Sequence, residues 1–322
     1  GERGQFTIHA VDLSGRVRTL LRSPVGLAVH DIARDGRLLV ERYGSQYEIN
    51  GLFPGDAREH GLAWFDGSQV DGLSDDGKTI LINEGGDAMG RGGAYYVRRT
   101  DGSPAVKLGE GRAIELSADG KWVLARAADS EKNLVLQPTG TGTAVAIETA
   151  FERVRAASLF PDGKRLLLIA QEPGKKSRLY VQDIPAGKPL PITEREFGLT
   201  ASSVSPDGNW ITAYGDWSDE IYLLPTGGGP PRNVPNSKDL EIIRWTPDGK
   251  FLFGAVVGTI PARVVRIEVA TGRREPWKDL APSELSGLIG ISPVFLTPDG
   301  KSYVYGYGRS ATSDLYLVEG LK

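Results

Sequence analysis

The stretch ASSVSPDGNWITAYG, residues 201–215, holds the phrase that decides the fold. In Ser205-Pro206-Asp207-Gly208, Pro presets φ for a type I turn, and Gly supplies the left-handed residue that closes a hairpin between two β-rich runs. The phrase recurs as IARDGRLLV, LSDDGKTILI, LSADGKWVLA, LFPDGKRLLLI, VSPDGNWITA, WTPDGKFLFG and LTPDGKSYVYG. Its glycines are Gly36, Gly77, Gly120, Gly163, Gly208, Gly249 and Gly300, so the intervals are 41, 43, 43, 45, 41 and 51 residues. A period of that size signals a repeat architecture.

One period shows what the repeat is. In residues 153–194, AASLF (A) turns at Pro161-Asp162-Gly163 into KRLLLIA (B). A polar loop, QEPGKKS, leads to RLYVQDI (C), and PAGK leads to a short PLPIT (D). These are four short strands rich in β-branched, aliphatic and aromatic residues, separated by turn residues. No segment sustains a helical apolar period. The C–D signature returns in YYVRRTDGSPAVKL, LVLQPTGTGTAVAI, IYLLPTGGGPPRNV and VVRIEVATGRREPW.

A four-stranded sheet of this size cannot bury both faces alone, whereas sheets stacked around an axis cover one another. The expected fold is therefore all-β: a seven-bladed β-propeller of four-stranded antiparallel blades, forming one domain over residues 1–322. Seven blades of about 45 residues need about 315. The chain opens on a C–D pair, GERGQFTIHAVDLSGRVRTLL, and closes on A, B and C strands. Pairing of the N-terminal segment with the last blade is expected to close the ring, with one strand surplus. The start in mid-blade is read as that of a domain belonging to a longer chain.

The 322 residues carry a net charge of −3 with scattered Lys and Arg, which excludes the basic footprint of a nucleic-acid or anionic-lipid binder. Cysteine is absent, so disulfides, thiolate metal sites and a Cys nucleophile are excluded. No stretch approaches the roughly 18 apolar residues of a membrane span. His9, His30 and His60 are the only histidines and are read as structural. No G-x-S-x-G elbow, H-E-x-x-H or kinase loop occurs. Asp66, Asp71, Asp75 and Asp76 lack the regular spacing of a calcium loop. The reading assigns no catalytic residue, no metal and no cofactor.

The recurring SPDGK hairpins resemble the WD-like repeats of TolB-type propellers over essentially the whole chain. VDLSGRVRTLLRSP, HDIARDGRLLV, YYVRRTDGSPAVKLGEG, ATGRREPWKDLAPSE and TPDGKSYVYGYGRSATSDLYLVEGLK further resemble the C-terminal propeller region of acidobacterial receptor-type serine/threonine kinases. That resemblance implies a cytoplasmic kinase domain, a membrane segment and an extracytoplasmic, periplasmic propeller array of which this chain is a part. It names a context, a sensor or interaction domain, without naming a ligand.

Rigid sheets with variable loops place recognition on the loops. The B–C loops carry Arg42 and Tyr43, Glu84, Asp87 and Arg91, Arg126 and Asp129, Asp216 and Trp217, and Tyr307 and Arg309. These are the expected ligand contacts around one channel mouth. The segment KDLAPSELSGLIG in the longest repeat is a second candidate surface. The expected partner is a protein, peptide or cell-envelope ligand, bound by a monomeric ring. The alternatives are a propeller lyase or hydrolase acting at the channel mouth, or a TolB-like periplasmic scaffold.

Overall fold

The computed structural model describes residues 6–23, 26–65, 67–85, 93–126, 130, 132–193, 203–215 and 218–320; for 45, 215, 218, 219 and 311–313 it describes the backbone alone. The structure is all β, as the sequence predicts. A hairpin of β1 (Phe6–Val11) and β2 (Val17–Ser23) comes first. It is followed by β3 (Gly26–Ile32), the long β4 (Leu38–Leu52) and β5 (His60–Gly61).

Antiparallel sheets then succeed one another along the chain. Sheet I holds β6 (Ser68–Leu73), β7 (Thr79–Glu84), β8 (Ala94–Arg99) and β9 (Val106–Glu110). Sheet II holds β10 (Arg112–Leu116), β11 (Trp122–Arg126), β12 (Leu134–Pro138) and β13 (Val145–Ile147). Sheet III holds β14 (Arg153–Leu159), β15 (Arg165–Gln171), β16 (Ser177–Asp183) and β17 (Leu190–Pro191). Sheet IV holds β18 (Trp210–Gly215), β19 (Ser218–Pro225) and β20 (Arg232–Asn233), with Val204 bridged to Ile211 at the inner position. Sheet V holds β21 (Leu240–Trp245), β22 (Phe251–Val256), β23 (Ala262–Glu268) and β24 (Arg274–Leu280). Sheet VI is assembled from both ends of the chain, as β25 (Leu288–Leu296), β26 (Tyr303–Val318), β4 and β5.

Six apolar clusters join these sheets in a circle. Val70 and Ile82 pack with Ile49 and Val304, linking I to VI. Leu81 packs with Val123 (I–II), Leu124 with Leu168 (II–III) and Leu167 with Ile211 (III–IV). Leu223 packs with Leu252 (IV–V), and Val264 with Tyr305 (V–VI). This geometry explains the unbroken apolar runs of the B strands. In RLLLIAQ, Leu166 and Leu168 face one neighbour while Leu167 and Ile169 face the other, and all four are buried.

Two expectations are corrected here. Among the described residues six sheets form the circle, not seven, because the first repeat never closes on itself. β4 and β26 run straight on where other B strands turn back, and pair from Tyr303↔Leu52 to Val318↔Leu38. Their outer halves, with β3, make a three-stranded extension of sheet VI around the Gly36 turn. Among the described residues the N-terminal hairpin, 6–23, does not pair with the last blade; β1 pairs with β2. The N-terminal strand that completes sheet VI is the inner half of β4.

The repeated phrase works through a hydroxyl that the turn reading overlooked. Ser205 Oγ donates to Asp207 Oδ1 (2.5 Å) and accepts from Trp210 N–H (2.9 Å), while Asn209 N–H donates to the same carboxylate oxygen (3.0 Å). Gly208 takes φ 73°, a conformation that costs a residue with Cβ. Ser74/Asp76, Ser117/Asp119, Thr246/Asp248 and Thr297/Asp299 repeat the arrangement. In sheet III Phe160 replaces the hydroxyl, and Arg165 covers its ring at 4.3 Å while bonding Asp162. Ser205→Ala removes both side-chain bonds and is expected to cost about 1 kcal/mol in urea unfolding. A midpoint unchanged within error would show the hydroxyl to be idle.

Candidate functional site

Five residues before each turn glycine of the ring, the inner strand places one residue toward the axis: Gly72, Glu115, Ser158, Ser203, Arg244 and Phe295, one from each sheet. All six line a central cavity of about 940 Å³. Pro161, Pro206, Pro247 and Pro298 of the A–B turns form part of its rim, so it opens on the turn face. This is the face opposite the B–C loops on which the sequence reading placed the contact residues. Trp122, Trp245 and Phe160 supply apolar wall.

Three ionisable groups of the cavity, Glu115, Asp75 and Arg244, join neighbouring sheets. Glu115 Oε2 accepts the Leu159 N–H at 2.7 Å, tying sheet II to sheet III. Burial pushes its carboxyl up to about 7, against the lowering effect of that bond and of Ser158. Asp71 sits at a break in register between Val70 and Gly72 and accepts from Asn83 Nδ2 at 2.6 Å. Burial raises its pKa, opposed by the Asn83 bond and the Arg112 charge. Asn83 also clamps both backbone groups of Ala113 in sheet II.

Arg244, from the wall opposite Glu115, donates through Nη1 to Leu296 O (2.7 Å) and Asp75 Oδ1 (3.1 Å), spanning sheets V, VI and I. Its Nε is buried without a hydrogen-bond partner. Carboxylates outnumber cations in the lining: Asp71, Asp75, Glu115, Asp119 and Asp162 against Lys164 and Arg244. The cavity is thus acidic with apolar walls, a surface suited to a ligand carrying both cationic and apolar groups.

No histidine reaches the cavity lining. His30 Nε2 lies 2.7 Å from Glu41, His60 Nδ1 3.1 Å from Asp56, and His9 Nδ1 3.3 Å from Thr19 Oγ1. Among the described residues, no three His, Cys, Asp or Glu side chains group as metal ligands.

The residues singled out from sequence are dispersed. Arg42 and Tyr43 lie on the outer half of β4, beyond the ring. Glu84 is buried at the end of β7 and accepts the Ser68 hydroxyl. Arg126 donates to Val154 O at 2.5 Å, crossing from sheet II to sheet III. Tyr307 and Arg309 do meet: the Tyr307 hydroxyl donates to Glu48 at 2.7 Å, and the guanidinium lies 5.5 Å from the ring centre. Arg309 also holds the Glu284 and Ser286 carbonyls, pinning the KDLAPSELSGLIG segment. Asp87, Arg91, Asp129, Asp216 and Trp217 lie outside the described residues. The axis-facing positions were missed, although their fixed offset from the turn glycine marks them; register breaks in the inner strands obscure the alternation that would identify them.

Sheets joined face to face in a circle around a central cavity define a β-propeller. More particularly, the fold is that of TolB-like propellers. A putative TolB from Agrobacterium tumefaciens is similar at 19% identity and TM-score 0.59, over 84% of this chain and 99% of that one. TolB from Acinetobacter baumannii is similar at 16% identity and TM-score 0.53, over 89% and 79%. An oligogalacturonate lyase in complex with manganese is similar at 15% identity and TM-score 0.51, over 86% and 76%. At these identities the likeness is one of fold. No protein-family model and no curated protein matches the chain.

Proposed function

We propose that this chain is a non-catalytic β-propeller binding module that docks a protein, peptide or cell-envelope ligand at the turn-face mouth of its channel. The observation that carries the reading is the cavity of about 940 Å³ to which all six inner strands contribute. Glu115, Arg244 and Asp75 in its wall hold neighbouring sheets together, and no imidazole stands among the lining groups. That arrangement suits recognition better than proton transfer, which requires a group free to reach a substrate. The resemblance to receptor-type serine/threonine kinases supplies the context: an extracytoplasmic sensor or interaction domain, with the kinase elsewhere in the parent protein. The B–C rim, with Trp217, is the second contact surface of this reading.

One observation favours the enzymatic alternative, a lyase or hydrolase: Glu115 keeps a carboxyl near 7 inside the cavity. Its bond to Leu159 N–H holds that group in the wall, which gives the binding reading precedence. In the test, the immobilised chain is exposed to envelope extract and the retained components are identified. Ser203→Trp, which fills the cavity, is expected to abolish retention with the thermal midpoint unchanged. Trp217→Ala separates the two rims. Retention untouched by either change, or by both together, would overturn the assignment.

A further inference from the structure

Five carboxylates line the central cavity, and four of them are already near a cation. Asp75 lies 3.1 Å from Arg244, Asp119 3.9 Å from Lys121 and Asp162 2.7 Å from Arg165. Asp71 feels the charge of Arg112 and accepts from the Asn83 amide at 2.6 Å. Glu115 differs. Among the described residues only neutral donors reach its carboxylate, the Leu159 N–H at 2.7 Å and the Ser158 hydroxyl. Arg244, across the cavity, is held on Asp75 and the Leu296 carbonyl. A carboxylate taken out of water without a counter-ion is unfavourable, and a cation brought by a ligand relieves that cost. Glu115 is also reachable, being partly exposed on the cavity wall. Trp122 from sheet II and Phe160 from sheet III line the cavity as well. They offer apolar surface to the methylene stem of a long basic side chain.

We propose that Glu115 seats the ammonium or guanidinium of a lysine or arginine side chain, so that the ligand entering the channel is a basic peptide segment. This seat rests on the channel mouth being the docking face, and it narrows the ligand of that face to a peptide bearing a cation. An ion pair weakens the hold of a carboxyl on its proton. Binding should therefore tighten as pH rises through about 7, the value of the free Glu115 carboxyl. The other charged groups of the lining are Asp71 and Asp75 on sheet I, Asp119 on sheet II, Asp162 and Lys164 on sheet III, and Arg244 on sheet V. Sheets IV and VI add no charge to it. Glu115→Gln isolates the share of the pH dependence that belongs to Glu115.

The test titrates the 322-residue chain by calorimetry with the end-capped peptide Ala-Ala-Lys-Ala-Ala and with its Nε-acetyl-lysine counterpart. At pH 8 the parent should bind the lysine peptide at least about tenfold more tightly, and the margin should shrink at pH 6. Glu115→Gln keeps an oxygen for the Leu159 N–H and should bind both peptides alike at either pH. Equal affinity of the parent for the two peptides, no binding of either, or a lysine preference that survives Glu115→Gln would each overturn the seat. Envelope extract separates this outcome from the wider reading. Retention lost with Ser203→Trp but kept with Glu115→Gln removes the basic seat and leaves the channel as the docking face. Retention indifferent to Ser203→Trp removes the channel itself.

Discussion

Glu59→Ala is expected to be the most damaging single substitution outside the aliphatic core, at about 3 kcal/mol in urea unfolding. Its carboxylate accepts the Tyr303 hydroxyl at 2.7 Å and the Tyr305 hydroxyl at 2.8 Å. Both tyrosines are buried in the cluster that joins sheets V and VI. They stand on the C-terminal strand, whereas Glu59 lies in the loop between β4 and β5, so one side chain fastens the two ends of the chain together. Trp277 packs edge-on against Tyr303 at 5.7 Å, and Lys278 lies 4.6 Å from the same ring, which leaves little room for rearrangement. Alanine strands two buried hydroxyls, and hydrogen bonds to a charged group are the stronger kind. Glu59→Gln keeps an acceptor and should lose clearly less. Burial first, and the Glu59 bonds second, raise both phenol pKa values. The stability tied to those neutral phenols is therefore present below pH 10 and lost as pH climbs through their raised folded values. An alanine variant as stable as the parent would remove Glu59 from the closure.

Glu115→Gln should act in the opposite direction. The folded carboxyl stands at about 7 against 4.5 for the free group. A carboxyl raised on folding contributes its stability below the unfolded value and loses it as pH rises through the folded one. The parent chain is expected to weaken between pH 5 and 8, by about 2 kcal/mol. Glutamine retains an oxygen for the Leu159 N–H and carries no charge to bury, so the variant should show a flat profile over that interval. At pH 8 it should exceed the parent by about the same 2 kcal/mol. A parent whose unfolding midpoint does not move from pH 5 to 8 would contradict the account. The turn aspartates Asp76, Asp119, Asp162, Asp207, Asp248 and Asp299 all have lowered pKa values. Their contribution holds above 3.8 and fades only as pH falls below it, so the two effects occupy separate windows.

Much of the ring is legible in the sequence. A Ser/Thr-x-Asp-Gly phrase marks every ring A–B turn except that of sheet III, where Phe160 stands in for the hydroxyl, and the apolar B strands announce that both their faces are covered. The axis-facing residues were less legible. Glu115 looks like an ordinary strand carboxylate until sheet III brings Leu159 N–H to it, and Arg244 shows its reach only when three sheets converge. Glu84 and Arg126 resembled loop contacts in the sequence, yet their side chains bond within the ring.

What the sequence by itself determined was everything local: strand, turn, alternation and the interval between repeats, because each depends on residues a few positions apart. Which strands would complete the last sheet was a different kind of question. IARDGRLLV is as good an A–B hairpin as its six counterparts, and the strands flanking it fit several partners equally well. Only the tertiary structure decided that β4 and β26 run straight through and bind along their length, that six sheets form the circle among the described residues, and that its cavity opens among the turns. The deciding contacts, Tyr303 and Tyr305 on Glu59, join residues 244 and 246 positions apart, and short-range patterning carries no information over that distance.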